Sequence, residues 1–162
     1  MFHGIHRPWF VRSCSSLLLV SALACTETKP ADPLVGTWTL NLARSKFSPG
    51  PAPQSLVVTY EQTANGLHVI AVSTTDGTPS RSEYTATYDG KDVPITGVPQ
   101  VETTSMRQID ALTSERIDKR AGKRVQSYTR QVYADGRTMV VTQKGTDATG
   151  SPVDNQMTFD KK

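Results

Sequence analysis

Histidine and cysteine are scarce in this chain of 162 residues, which holds three of the first and two of the second. His3, His6 and Cys14 all fall near the start, so only Cys25 and His68 remain beyond them. That excludes a Cys/His cluster for zinc or iron and a disulfide framework in the rest of the chain. A Ser-His-Asp arrangement would have to use His68, which has no nucleophile elbow nearby. A Gly-rich phosphate loop at a strand-to-helix junction is missing too. The expectation is no enzyme, with no catalytic residues, no metal and no cofactor. A charge excess of one sign is also lacking, with 18 basic against 15 acidic residues. Removing Arg7 and Arg12, which lie in a segment that reads as cleavable, leaves about +1, too little for a nucleic-acid footprint. Glycine and proline total 21 and fall mostly between apolar stretches, unlike collagen-like or disordered chains.

No apolar run reaches the roughly 20 residues a spanning helix needs. Residues 1–12 carry Arg7, Arg12, His3 and His6 with no acid, and residues 17–24 read Leu-Leu-Leu-Val-Ser-Ala-Leu-Ala before Cys25. A basic start, a short apolar stretch and a small-residue exit make an export signal over residues 1–24. Two cleavage chemistries compete at its end. Ala22-Leu23-Ala24 satisfies the small-x-small pattern of ordinary signal peptidase, while Cys25 just after it resembles the lipobox of bacterial lipoproteins, with Ala22 where that pattern prefers Leu. Lipidation of Cys25 is favoured, because that cysteine would have no disulfide partner in the mature chain. Residues 25–33 then form the lipidated cysteine and a tether, unpatterned and with two prolines. The chain is expected to be an exported cell-envelope lipoprotein facing the periplasm, held at the membrane through Cys25, or soluble and periplasmic or secreted if Cys25 is unmodified.

Beyond the tether, turn signals punctuate runs rich in Val, Thr, Tyr and Ile: Asn65-Gly66, Asp76-Gly77, Asp89-Gly90, Ala121-Gly122, Asp135-Gly136 and Thr149-Gly150. Such pairs suit the positive φ angles of tight hairpins, and no stretch holds a helical period. Strands are expected at 36–42, 55–64, 67–75, 80–88, 102–109, 112–120, 123–134, 137–146 and 153–160, with a stiff loop at 48–53. Two-residue loops at Asn65-Gly66 and Asp76-Gly77 gather Leu56, Val58, Tyr60, Leu67, Val69, Ala71, Tyr84, Ala86 and Tyr88 on one face. His68, Glu61 and Glu83 go to the other. In the second half, two-residue loops at Asp110-Ala111, Ala121-Gly122 and Asp135-Gly136 gather Met106, Gln108, Thr113, Glu115, Ile117, Gln126, Tyr128, Arg130, Val132, Met139 and Val141. A bulged three-residue loop near Asp135 would instead turn Arg130 away from Met139. An inward Arg130 needs an anion, either Glu115 or a ligand carboxylate, because an unpaired buried charge costs several kcal/mol.

Residues 34–42, Leu-Val-Gly-Thr-Trp-Thr-Leu-Asn-Leu, resemble the opening strand of the calycin barrels, namely lipocalins, fatty-acid-binding proteins and avidins, with their Gly-x-Trp signature at Gly36-Thr37-Trp38. The chain is also similar to exported bacterial proteins with a lipocalin-like domain. The resemblance implies an all-β antiparallel up-and-down meander over residues 34–162, closing into a lipocalin-like barrel of about 8 to 9 strands with Trp38 plugging one end. The helix pair and the Arg-x-Tyr carboxylate clamp of fatty-acid-binding proteins are absent, and so is the lipocalin cysteine bridge.

Two functions follow from different classes. One is a carrier, a monomer holding a small hydrophobic ligand, with Trp38, Tyr60, Tyr84 and Tyr128 as lining and Arg130 at a polar end. The other is a structural or interaction lipoprotein whose barrel is filled by its own side chains and which works through loops such as 48–53 or 93–99. Each residue also has a plainer role. The tyrosines pack, Arg130 pairs with Glu115, and the basic residues Arg116, Lys119, Arg120, Lys123 and Arg124 solvate a hairpin tip or lean on anionic lipid. An empty interior favours the carrier and a filled one the scaffold.

Overall fold

Among the described residues beyond 35, runs of alternating apolar and polar residues produce strands and no helix. The computed structural model describes residue 1, residues 31–147 and residues 149–162. The export signal, Cys25 and most of the tether lie outside the described residues. The strands are β1 (Gly36–Lys46), β2 (Ser55–Thr63), β3 (Gly66–Thr75), β4 (Thr78–Ala86), β5 (Val93–Pro94), β6 (Thr103–Gln108), β7 (Thr113–Arg120), β8 (Lys123–Val132), β9 (Thr138–Thr146) and β10 (Pro152–Lys161). They form one antiparallel sheet in the order β4-β3-β2-β1-β10-β9-β8-β7-β6-β5. Each strand pairs with its successor, except that β1 and β10 join the two ends of the chain and β4 and β5 are left as the two edges. Those edges meet through a bridge between Glu83 and Thr96, whose amides and carbonyls exchange hydrogen bonds of 3.2 and 3.0 Å. The result is a nearly closed up-and-down barrel. Its tenth strand, β5, falls in the segment expected to be a loop.

The first half keeps the expected faces. Asp76 and Gly77 both take positive φ, as a two-residue hairpin requires, and Val69 opposes Tyr84 and Leu67 opposes Ala86 as read from the pattern. Between β2 and β3 the tight loop is Ala64-Asn65, not Asn65-Gly66, so Tyr60 opposes Val69 and not Ala71. A slip of two residues leaves every side chain on its own face. In β1, Trp38 and Leu40 point inward, but the strand bulges between Asn41 and Lys46 and turns Leu42 out to 43% exposure.

The second half departs by odd numbers, which flips a strand. Gln108 opposes Ser114, so the turn after β6 is one residue longer than a two-residue Asp110-Ala111 loop allows. The Ala121-Gly122 hairpin is tight, but Val125 bulges out of register, so that Asp118 faces Gln126. Both changes rotate β7 by one residue relative to its neighbours. Ser114, Arg116 and Asp118 therefore point inward, while Thr113, Glu115 and Ile117, expected inside, belong to the opposite face. Gln108, also expected inside, is exposed. The β8 and β9 register is as expected, with Arg130 opposite Val141 and Val132 opposite Met139.

One end of the barrel is filled by its own side chains. Trp38, fully buried, donates its indole N–H to the Leu34 carbonyl at 2.7 Å and packs among Met106, Val132, Met139 and Phe159. Lys161 lies outside the ring with Nζ 5.0 Å from its centroid. Position 36 favours glycine because its φ is +126°, a backbone conformation that other residues rarely adopt. Beneath the plug, Asp32 accepts hydrogen bonds from the Leu34 amide at 2.9 Å and the Tyr88 hydroxyl at 2.7 Å, fixing the entry of the chain.

Candidate functional site

The other half of the barrel is not filled. A cavity of about 440 Å³ lies between the strands, with Val58, Val69, Val141, Met157 and Phe159 on its walls and Ser73, Ser80 and Ser82 near the 97–100 segment. Tyr60, Tyr128 and Arg130, three of the residues expected to contact a ligand, line it. Tyr84 is buried against the guanidinium of Arg116, and Trp38 is packed in the filled end. The loop at 93–99 reaches the cavity through Gly97, Val98 and Pro99. Among the described residues, no carboxylate, lysine or histidine lines the space, so its charge comes from Arg116 and Arg130 alone.

Arg130 is 3% exposed, and the β8–β9 register aims it inward. One terminal nitrogen lies 3.5 Å from the Tyr60 hydroxyl, and the guanidinium carbon is 5.8 Å from the Tyr60 ring centroid. Among the described residues, its Nε and other terminal nitrogen have no hydrogen-bond partner, and neither do the Tyr84 hydroxyl or Ser114 Oγ. Ser114 is the register partner of Arg130 across β7 and β8. The expected pair with Glu115 does not form: that carboxylate, on the outward face of β7, accepts from Arg107 at 2.9 Å. A contact with an aromatic ring contributes about 0.5–2 kcal/mol. Burial of a guanidinium costs several. The second figure wins, so Arg130 is held at a net cost to the protein alone. An arginine keeps its charge even when buried, so the group stays a cation.

Arg116 has the opposite environment. Its Nε and one terminal nitrogen fork onto the two oxygens of Asp118 at 2.7 and 2.6 Å, and Thr104 donates to the same carboxylate at 2.7 Å. The guanidinium lies 4.9 Å from the Tyr84 ring centroid and 4.6 Å from that of Tyr128. This ion pair is complete, and it is not at a solvated hairpin tip as the basic cluster had implied. Tyr60 and Tyr128 are both pushed above the ordinary tyrosine value, by burial first, with the nearby arginines pulling the other way. Both remain neutral phenols. Tyr128 donates to Gln126 and accepts from Gln143 at 3.1 Å, which places two further polar side chains in the wall.

Asp118 and Gln143 were not singled out from the sequence, and Arg116 was read only as one of a basic cluster. A signal existed, since Arg116 and Asp118 are two residues apart and must share a face of a strand. Choosing that face required the bulge at Val125, which no turn dipeptide announces. On the outer surface, His68 Nε2 lies 3.1 Å from Glu83, which Arg81 also binds at 2.6 Å, as expected of a solvated face. Among the described residues, no group of three or more His, Cys, Asp or Glu could hold a metal ion.

No family model matches the chain, and no curated protein matches it by sequence. Among the solved structures it resembles is the ileal bile acid-binding protein of zebrafish in complex with cholic acid, at 12% identity and a TM-score of 0.47, over 80% of this chain and 99% of that one.

Proposed function

We propose that the barrel binds a small amphiphilic molecule, with an apolar body in the cavity and an acidic head at Arg130. The observation that carries this reading is a buried arginine lining a cavity of about 440 Å³, two of whose nitrogens have no partner among the described residues. Ligand pockets are commonly about 300–1,000 Å³, mostly apolar, with a few converging polar groups. Tyr60 and Tyr128 give the head further hydrogen-bonding partners. The empty half of the barrel supports a carrier over a scaffold filled by its own side chains. The role is binding, not catalysis, carried out by a monomer. The residues before Ala31 supply the rest of the proposal: export by a bacterial cell, cleavage before Cys25, and a lipid anchor that holds the barrel on the periplasmic side of the envelope.

The test is extraction of protein purified from its own source, followed by mass spectrometry. A bound acidic amphiphile at near-stoichiometric level is expected, and a lipid profile no different from that of an unrelated exported protein counts against the reading. The same spectra report the anchor. An acylated N-terminal Cys25 is expected, whereas a free thiol there removes the anchor and leaves export standing.

A further inference from the structure

The two arginines of the cavity stand on one face of the β7–β8 ladder. Arg116 opposes Tyr128 and Ser114 opposes Arg130, which makes the arginines diagonal neighbours. Their charges are handled differently. Arg116 is forked onto both oxygens of Asp118, and its guanidinium is clamped between the rings of Tyr84 and Tyr128. Asp118 is itself fully buried and fixed by Thr104. Among the described residues, Arg130 has no such counter-ion. Arg116 cannot turn to a ligand without abandoning a complete ion pair, so among the described residues the cavity presents one uncompensated positive charge.

We infer that Asp118 sets the charge class of the ligand: by cancelling Arg116 it leaves Arg130 as the single open cation, and the cavity selects singly charged anionic heads over doubly charged ones. The inference rests on the proposed binding of an acidic head at Arg130 and narrows it. In a poorly solvated site each buried charge must be matched, because an unmatched one has lost its water without gaining a partner. A dianion at Arg130 leaves one negative charge unmatched, and a neutral head leaves the arginine unmatched. Discrimination therefore comes from the cost imposed on the wrong ligand as much as from the attraction of the right one.

Decyl sulfate and decyl phosphate share a tail and a tetrahedral head but differ in charge at about pH 8, above the second phosphate pKa of about 6. Decanol supplies the uncharged control. Calorimetric titration of the whole chain with each probe, below its micellar concentration, is expected to show sulfate bound about tenfold more tightly than phosphate or decanol. Asp118→Asn frees Arg116 and raises the open charge to two, so the preference should invert toward phosphate. Ser114→Asp supplies Arg130 with the counter-ion it lacks, so the anion preference should vanish and decanol should bind best. The two variants move the charge in opposite directions, and either one that folds decides the matter. Binding of all three probes with one unchanged ratio in the wild type and the variant overturns the inference and leaves amphiphile binding intact. Binding of none of them overturns both.

Discussion

Arg130 is the residue at which folding and binding pull apart. Its guanidinium is buried, its Nε and one terminal nitrogen are unpartnered, and a ring contact with Tyr60 returns only a fraction of the desolvation cost. Replacing it with an apolar side chain of similar length should therefore stabilise the empty protein. Arg130→Met is predicted to raise the unfolding free energy by about 1–4 kcal/mol, measured by urea denaturation without ligand. A loss of stability would mean that Arg130 is satisfied by the fold. Trp38 behaves oppositely. Fully buried in the filled end, it should cost about 3–5 kcal/mol when changed to Ala, by the same measurement. The plug was legible in the residues, whereas the inward direction of Arg130 was one of two that they allowed. Gly36-Thr37-Trp38 indicated a plug, and the register set at Asp135-Gly136 turned Arg130 inward. What the residues did not disclose was the partner of Arg130. Glu115 was the nearest candidate by parity, and its parity was wrong.

At the scale of strands, errors in loop length separate into harmless and consequential ones. Moving the β2–β3 loop by one position shifted the register by two residues and changed no face. The longer turn before β7 and the bulge at Val125 shifted it by one, and every side chain of β7 changed sides. Asn-Gly and Asp-Gly pairs advertise tight turns through positive φ, whereas a bulge is settled by how side chains pack across the barrel. The seam between β4 and β5 is a second feature without a sequence signal. There Gly97 passes so close to β4 that a Cβ would lie within bonding range of the Arg81 carbonyl oxygen. Gly97→Ala is predicted to open this edge, lowering stability by about 1–3 kcal/mol and deprotecting the Glu83 and Thr96 amides in hydrogen exchange. Unchanged protection at both amides would refute closure through that bridge. The turns carry a pH dependence as well. Asp135 accepts from the amides of Arg137 and Thr138 at 2.8 and 3.0 Å, and Asp147 accepts from the Thr149 hydroxyl and the Ser151 amide at 2.6 and 2.9 Å. These bonds hold both carboxyls below their ordinary value of 3.8. A depressed folded pKa means stabilisation that is present above that value and lost as pH falls through the folded one. Urea midpoints should therefore decline as pH drops below about 4, and Asp135→Asn with Asp147→Asn should flatten the decline.

Residues 31–162 form a barrel divided along its length, filled around Trp38 and open toward the 97–100 segment. The division follows from side-chain size. Trp38 and Met106 are buried away from the cavity, while its walls carry valines and serines beside Met139, Met157 and Phe159. All-β architecture and the identity of most inward residues in β1 to β4 were legible, because those strands alternate cleanly. An empty interior was not, since volume is a sum over every facing pair and depends on registers that the second half concealed. The proposed role of this space is to receive an amphiphile whose acidic head meets Arg130. Isothermal titration of the whole chain and of Arg130→Met with decanoate tests it most directly. Saturable binding near one molecule per chain is expected, weakened about tenfold or more in the variant. Equal affinity for the two proteins, or no binding to a folded wild type, would contradict it.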